Sequence, residues 1–102
     1  MEKLLTKFPT LNVDILKKRI NGEKTKIYIY KQEMHRGIEV TGLASILCLK
    51  FDGSQTLKDT LDDFYFEMNL EPELYEEDAK SLINHLIENN LIEFSDTVNK
   101  DS

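Results

Sequence analysis

The sequence has one cysteine, two prolines and four glycines in 102 residues, and no long apolar run. Each scarcity excludes something. A lone Cys48 can close no internal disulfide and can supply no multi-cysteine zinc or iron–sulfur site. The pattern fits a reducing compartment. Few glycines and prolines, beside 40% apolar and 31% charged residues, exclude collagen-like, linker-like and disordered chains. Gly22, Gly37, Gly42 and Gly53 stand singly, so the sequence offers no phosphate-cradling loop. The longest uncharged stretch around the apolar run, Val40 to Leu49, is ten residues, where a membrane-spanning helix needs about 20. The opening MEKLLTKFPT carries no apolar h-region, so no signal peptide is expected. These features together predict a soluble cytoplasmic protein with no membrane partner.

Chemistry-bearing constellations are equally sparse. The two histidines are isolated: His35 falls in an expected turn, and His85 has Ser81 four residues before it, so neither forms a helical metal-ligand pair. Cys48 lies inside the apolar stretch and reads as a buried, inert thiol. Ser45 and Ser54 have no base nearby in sequence, and Asp62-Asp63 reads as a solvated pair. One domain is expected over residues 1–102, with an ordered core of about residues 10–95. A chain this short buries only roughly 60–70% of its unfolded surface. Little remains for an elaborate active site, and binding without catalysis, cofactor or metal is the expectation.

What the chain does have is charge, unevenly placed. Residues 1–50 hold ten bases against five acids, and residues 51–102 hold three bases against fourteen acids. The halves therefore stand at +5 and −11 within a total of −6. Such asymmetry suits surfaces that meet different partners.

Periodicity splits the chain at the same place. KTKIYIYK, Lys24 to Lys31, alternates strictly, with Ile27 and Ile29 on one side and Tyr28 and Tyr30 on the other. Val13 to Ile20 is a weaker strand, and Asn21-Gly22 between the two is a hairpin signal. Gln32 to His35 is turn-like, and Arg36 to Thr41 alternates again with Ile38 and Val40 inward. The second half is helical. Leu43, Ile46 and Leu47 open a first helix that Thr41 can cap and Asp52-Gly53 ends. Thr56 to Asp59 has capping-box spacing ahead of Leu57, Leu61, Phe64 and Met68. Pro72 suits the first turn of a third helix, whose core stripe reads Tyr75, Ala79, Leu82 and Leu86. Asn89-Asn90 ends it, Leu91, Ile92 and Phe94 return to the core, and the tail from Ser95 is expected to fray. The order is βββααα: an α+β, winged-helix-like fold, a three-stranded antiparallel sheet followed by three helices.

A winged helix raises the question of DNA. Affinity for DNA comes largely from bases that neutralise phosphates, yet the third helix opens with Glu76, Glu77 and Asp78 where a recognition helix would meet the groove. No nucleic-acid partner is expected, and a DNA-binding regulator stands as the alternative, with a small structural subunit of a complex. The third helix also carries apolar residues beyond its core stripe. Ile83 and Ile87, with Lys80 and Asn84, form a second, mixed stripe. The last strand of the meander, Gly37, Ile38, Glu39, Val40 and Thr41, has an edge without a partner strand. An open edge beside an apolar helix stripe suits an extended peptide, held by main-chain hydrogen bonds and apolar side-chain pockets.

The stretch TGLASILCLKFDGSQTLKDTLDDF and the later DAKSLINHLIENNLIEF resemble PqqD-like proteins, over roughly residues 25–94. Order, spacing and length agree. Thr41 stands where family members often carry Asn, and Asn90 where they carry Gly. The resemblance implies a recognition element for ribosomally made precursor peptides. Such a protein adds the leader segment as a strand against the third strand, beside the third helix, and delivers it to a modifying enzyme, often a radical S-adenosylmethionine enzyme. Carried over, the strand positions are Gly37 to Thr41 and the helix positions are Lys80, Ile83, Asn84 and Ile87. Arg36 and Lys80 would face acidic leader residues. Lys17, Lys18 and Arg19, with Tyr28 and Tyr30, are the candidate docking face for the enzyme. This chain lacks the cysteine triplet of the radical enzymes, so it would be the accessory and not the catalyst.

Overall fold

The computed structural model describes residues 2–11, 14–20, 24–31 and 36–98, with the backbone alone at 14–20, 24–26, 31 and 36. The elements run from a short 3-10 turn, Glu2–Leu4, through β1 (Phe8–Leu11), β2 (Asp14–Ile20), β3 (Lys24–Lys31) and β4 (Arg36–Thr41). Helices α1 (Leu43–Cys48), α2 (Leu57–Glu67) and α3 (Pro72–Glu88) follow, and β5 (Ile92–Ser95) closes the series. The class is α+β with three helices and small antiparallel sheets.

Strands β2, β3 and β4 pair antiparallel in that order. The register sets Ile27 against Val40 and Ile29 against Ile38. Ile27, Ile29 and Val40 are buried and Ile38 lies against the core margin. The alternating residues Gly37, Glu39 and Thr41 are exposed. Alternation thus gives this sheet one apolar face, and α1 packs on it through β3 and β4. Asn21-Gly22, Gln32 to His35 and Val13 lie outside the described residues.

The helices form where 3.6-residue spacing places apolar side chains on one flank. Leu57, Leu61, Phe64 and Tyr65 of α2 are buried. Thr56 caps it: its hydroxyl oxygen accepts from the Asp59 N–H at 3.2 Å. Pro72 occupies the first turn of α3, where its missing N–H costs nothing. Phe64, Tyr65 and Tyr75 join α2 to α3 with ring centroids 5.5 to 6.3 Å apart. Asn90 takes a φ of 60°, the left-handed conformation that lets the chain turn out of α3. Leu91 and Ile92 then re-enter the core.

The order βββααα needs correction, because a strand precedes the meander and another follows α3. β1 pairs antiparallel with β5, Phe8 opposite Ser95 and Leu11 opposite Ile92. On its other side β1 is bonded to the loop after α1. The Leu11 N–H donates to the Phe51 carbonyl at 3.0 Å, and the Gly53 N–H donates to the Pro9 carbonyl at 2.7 Å. The N-terminal segment is therefore a central piece of a closing sheet. Ser95 belongs to β5 and Asp96 is ion-paired with Lys7, so the tail is held to this point. Two smaller expectations also change. Thr41 is the last residue of β4 and does not cap α1; the N-cap is Gly42, at φ 65° and ψ −139°, a conformation that favours glycine. And α1 stops at Cys48, about one turn short, with Lys50 and Phe51 in the following turn.

Candidate functional site

Strand β4 is bordered by β3 on one side, and among the described residues no strand pairs with its other side. Its backbone is fixed by six register pairs with β3, from Arg36 opposite Lys31 to Thr41 opposite Lys26. The inward residues Ile38 and Val40 meet the core that α3 shares through Ile83 and Leu86. Gly37 has a specific reason to be glycine. A Cβ there would lie 2.9 Å from Tyr28 Cε1 and 3.0 Å from the Ile29 carbonyl oxygen. The Tyr28 ring therefore crosses the β4 backbone at the position Gly37 leaves open, a cross-strand cover for a residue with no side chain of its own.

Helix α3 contributes a narrower surface than the sequence suggests. Its buried positions are Ala79, Ile83 and Leu86, with Tyr75 and Leu82 half-buried against the core. Ile83 is fully buried, so its assignment to a peptide-facing stripe is corrected: it is a core residue. The helix is rotated toward the Ile83 side, which leaves Leu82 at the margin. Ile87 is 39% exposed and Asn84 is exposed. Lys80 is half-buried, with Nζ 4.0 Å from Glu77 Oε1, a long surface ion pair. Lys80, Asn84 and Ile87 are spaced four and three, so they share one stripe of the helix surface. Of the ten residues expected in a peptide site, the structure thus puts Val40 and Ile83 in the core, Ile38 at its margin, and Gly37, Glu39, Thr41, Lys80, Asn84 and Ile87 at the surface. The Arg36 side chain lies outside the described structure.

The expected docking face divides. Tyr28 is 43% exposed and its ring centroid lies 6.0 Å from that of half-buried Tyr30. Register sets Lys18 opposite Lys26 on the row alternation of Tyr28, whereas Lys17 lies opposite Ile27 and Arg19 opposite Thr25. Lys17, Lys18 and Arg19 therefore cannot share one sheet face with the tyrosines; only Lys18 falls in phase with them. Their side chains lie outside the described structure.

Among the described residues, no group of three His, Cys, Asp or Glu is placed to hold a metal. Cys48 is fully buried, and burial pushes its thiol up to about 12, so it stays protonated and unreactive near neutrality. Burial likewise raises the phenols of Tyr65 and Tyr75. The Ser54 hydroxyl, donating to Asp52 Oδ1 at 2.6 Å, holds the Asp52 carboxyl below its ordinary value, a turn-stabilising arrangement after α1. No helix among the described residues is long and apolar enough to cross a membrane.

A second surface lies at the α2–α3 corner, where periodicity gives no warning except that Phe66 falls off the apolar stripe of α2. Phe66 is 88% exposed and Leu74 79% exposed. Phe66 borders a shallow depression of about 530 Å³ with Asp62, Tyr65, Asn69, Leu70 and Pro72. In comparison with known proteins, the chain matches no family model, no curated protein and no solved structure.

Proposed function

We propose that this chain is a non-catalytic, winged-helix-like peptide-binding protein that captures the leader segment of a ribosomally made precursor and presents it to a peptide-modifying enzyme. The enzyme class that the resemblance implies is a radical S-adenosylmethionine enzyme. The observation that carries the reading is the position of β4, which ends its sheet next to a core shared with α3. A guest strand laid along β4 would form main-chain hydrogen bonds whatever its sequence. Selectivity would come from its alternate side chains meeting the surface stripe of Lys80, Asn84 and Ile87. Ile87 supplies apolar contact, and Lys80 suits an acidic leader residue. Ile83 supports the stripe from beneath.

The alternative of a DNA-binding regulator is disfavoured by charge: Glu73, Glu76, Glu77 and Asp78 crowd the first two turns of α3, all exposed. The test is an NMR titration of the isotope-labelled chain with synthetic peptides covering the N-terminal part of each short open reading frame beside its gene. Saturable shifts concentrated in the amides of Gly37 to Thr41 and Asn84 to Ile87 are the expected result. Binding that perturbs other elements and leaves β4 unmoved would refute strand addition.

A further inference from the structure

The α2–α3 corner has a surface of its own that the leader reading does not use. Phe66 is 88% exposed on α2. It borders the depression that Tyr65, Leu70 and Pro72 also line, so this apolar surface is contiguous and concave, not one scattered side chain. The charge around it is of one sign. Asp62 lines the same depression, and Glu71 lies between the lining residues Leu70 and Pro72. Tyr65 is only 8% exposed, and its hydroxyl has no hydrogen-bond partner among the described residues. Burial raises that phenol, and the charges of Glu76 and Asp62 raise it further, so both carboxylates lie within electrostatic reach of it. The neighbouring lysines leave most of this charge in place. Lys50 pairs with Glu67 at 2.6 Å and Lys80 with Glu77 at 4.0 Å, and neither acid lines the depression. Lys58 does reach Asp62, at 3.0 Å, but both side chains are more than half exposed, and such a surface pair is weak enough to exchange partners. Glu71, Glu73 and Glu76 have no ion pair among the described residues, and no base lines the depression.

We propose that this corner docks an arginine-bearing segment of a partner polypeptide. The guanidinium lies flat on the Phe66 ring and donates at its edge to the carboxylates of Asp62 and Glu76, with its methylene stem against Leu70 and Pro72. Charge selects this occupant. A neutral apolar segment would cover Phe66 but leave the carboxylates without a counter-charge, and an acidic one would be repelled. Arginine suits the corner better than lysine, because its planar, weakly hydrated head stacks on an aromatic face while its donors stay free for carboxylates. The Tyr65 hydroxyl is a further acceptor beside them. The contact is independent of the leader site, since it uses neither β4 nor the Lys80–Ile87 stripe, and either can fail without the other.

An NMR titration of the isotope-labelled full chain tests this. The probe is the blocked peptide Gly-Arg-Leu-Arg-Gly, beside versions with lysine or glutamine in place of both arginines, each raised to about 5 mM, past the millimolar scale of a weak contact. The expected result is saturable shifts confined to the amides from Asp62 to Glu76. The lysine peptide binds at least threefold more weakly and the glutamine peptide gives no saturation. Raising ionic strength from about 0.05 M to about 0.5 M weakens the arginine peptide at least threefold. Phe66→Ser and Asp62→Asn/Glu76→Gln each weaken it at least fivefold with an unchanged circular dichroism spectrum, as exposed positions allow. No saturation at the corner, equal binding of the glutamine peptide, or Phe66→Ser without effect overturns the proposal. Shifts at β4 in place of the corner would assign the peptide to the strand edge and overturn it. So would concentration-dependent shifts of the corner amides with no peptide present, which would make a second copy of the chain the occupant.

Discussion

Ile83 and Ile87 lie four residues apart on α3 and would be treated alike by any reading of spacing, yet the structure separates them. Ile83 is fully buried and Ile87 is 39% exposed. Truncating a fully buried isoleucine to alanine costs about 2–5 kcal/mol, because the lost transfer energy is joined by a cavity that the surroundings fill only in part. Domains of this size have roughly 5–15 kcal/mol in total. At about 4–8 °C per kcal/mol, Ile83→Ala should lower Tm by roughly 8–40 °C. The same truncation at Ile87 removes a side chain already partly in water, and should cost under about 1 kcal/mol. Urea unfolding followed by circular dichroism measures both. On leader affinity the ranking reverses in kind. Ile87→Asp should weaken a bound leader tenfold or more in a folded protein, whereas Ile83→Ala should act only through the folded fraction. An Ile83→Ala cost under about 1 kcal/mol would show that α3 is rotated differently, and would return Ile83 to the peptide-facing surface.

Three further outcomes follow from the geometry. Because burial holds the Cys48 thiol protonated up to about 12 while an unfolded thiol ionises near 9.0, the unfolded chain releases its proton first. The stability from Cys48 is complete below pH 9.0 and declines as pH rises toward 12, by at most about 1.4 kcal/mol per pH unit. Tyr65 and Tyr75 add to the decline in the same direction. Denaturant midpoints measured across this range should fall, and the native thiol should resist alkylation until urea exposes it. Gly37→Ala should destabilise by about 1–3 kcal/mol through overpacking against Tyr28, and a double-mutant cycle with Tyr28→Ala should recover part of that cost; strict additivity would show that the ring does not cross β4 in solution. Thr56→Ala should cost about 1 kcal/mol by removing the acceptor for the Asp59 N–H, and Thr56→Ser should restore most of it.

Local chemistry fixed the elements it could reach. KTKIYIYK alternates, and its isoleucines are buried with Tyr28 exposed. Thr56, Pro72 and Asn90 mark helix ends by hydrogen-bonding capacity, a missing N–H and tolerance of positive φ, and each does so in the fold. The candidate edge β4 is likewise readable from RGIEVT, with the bounds the structure gives it. Where a signal depends on distant partners, sequence reading fails. FPTL is four residues with a proline and no alternation, and becomes a strand only because β5 and the Phe51–Gly53 loop take its hydrogen bonds. The exposure of Phe66 likewise depends on where α2 meets α3, which the 4-3-4 stripe of α2 does not encode.

By itself, the sequence determined the strand alternation, the start and end signals of α2 and α3, and the division of the chain into a basic half and an acidic half, since all three depend on neighbours within a few residues. Tertiary structure alone decided that β1 closes against β5, and that Ile83 is core while Ile87 is surface. The reason is that periodicity gives an apolar stripe its width but not its angle. The rotation of α3 is set by the volume its neighbours leave, and one step of about 100° around the helix separates a core side chain from one that can touch a guest.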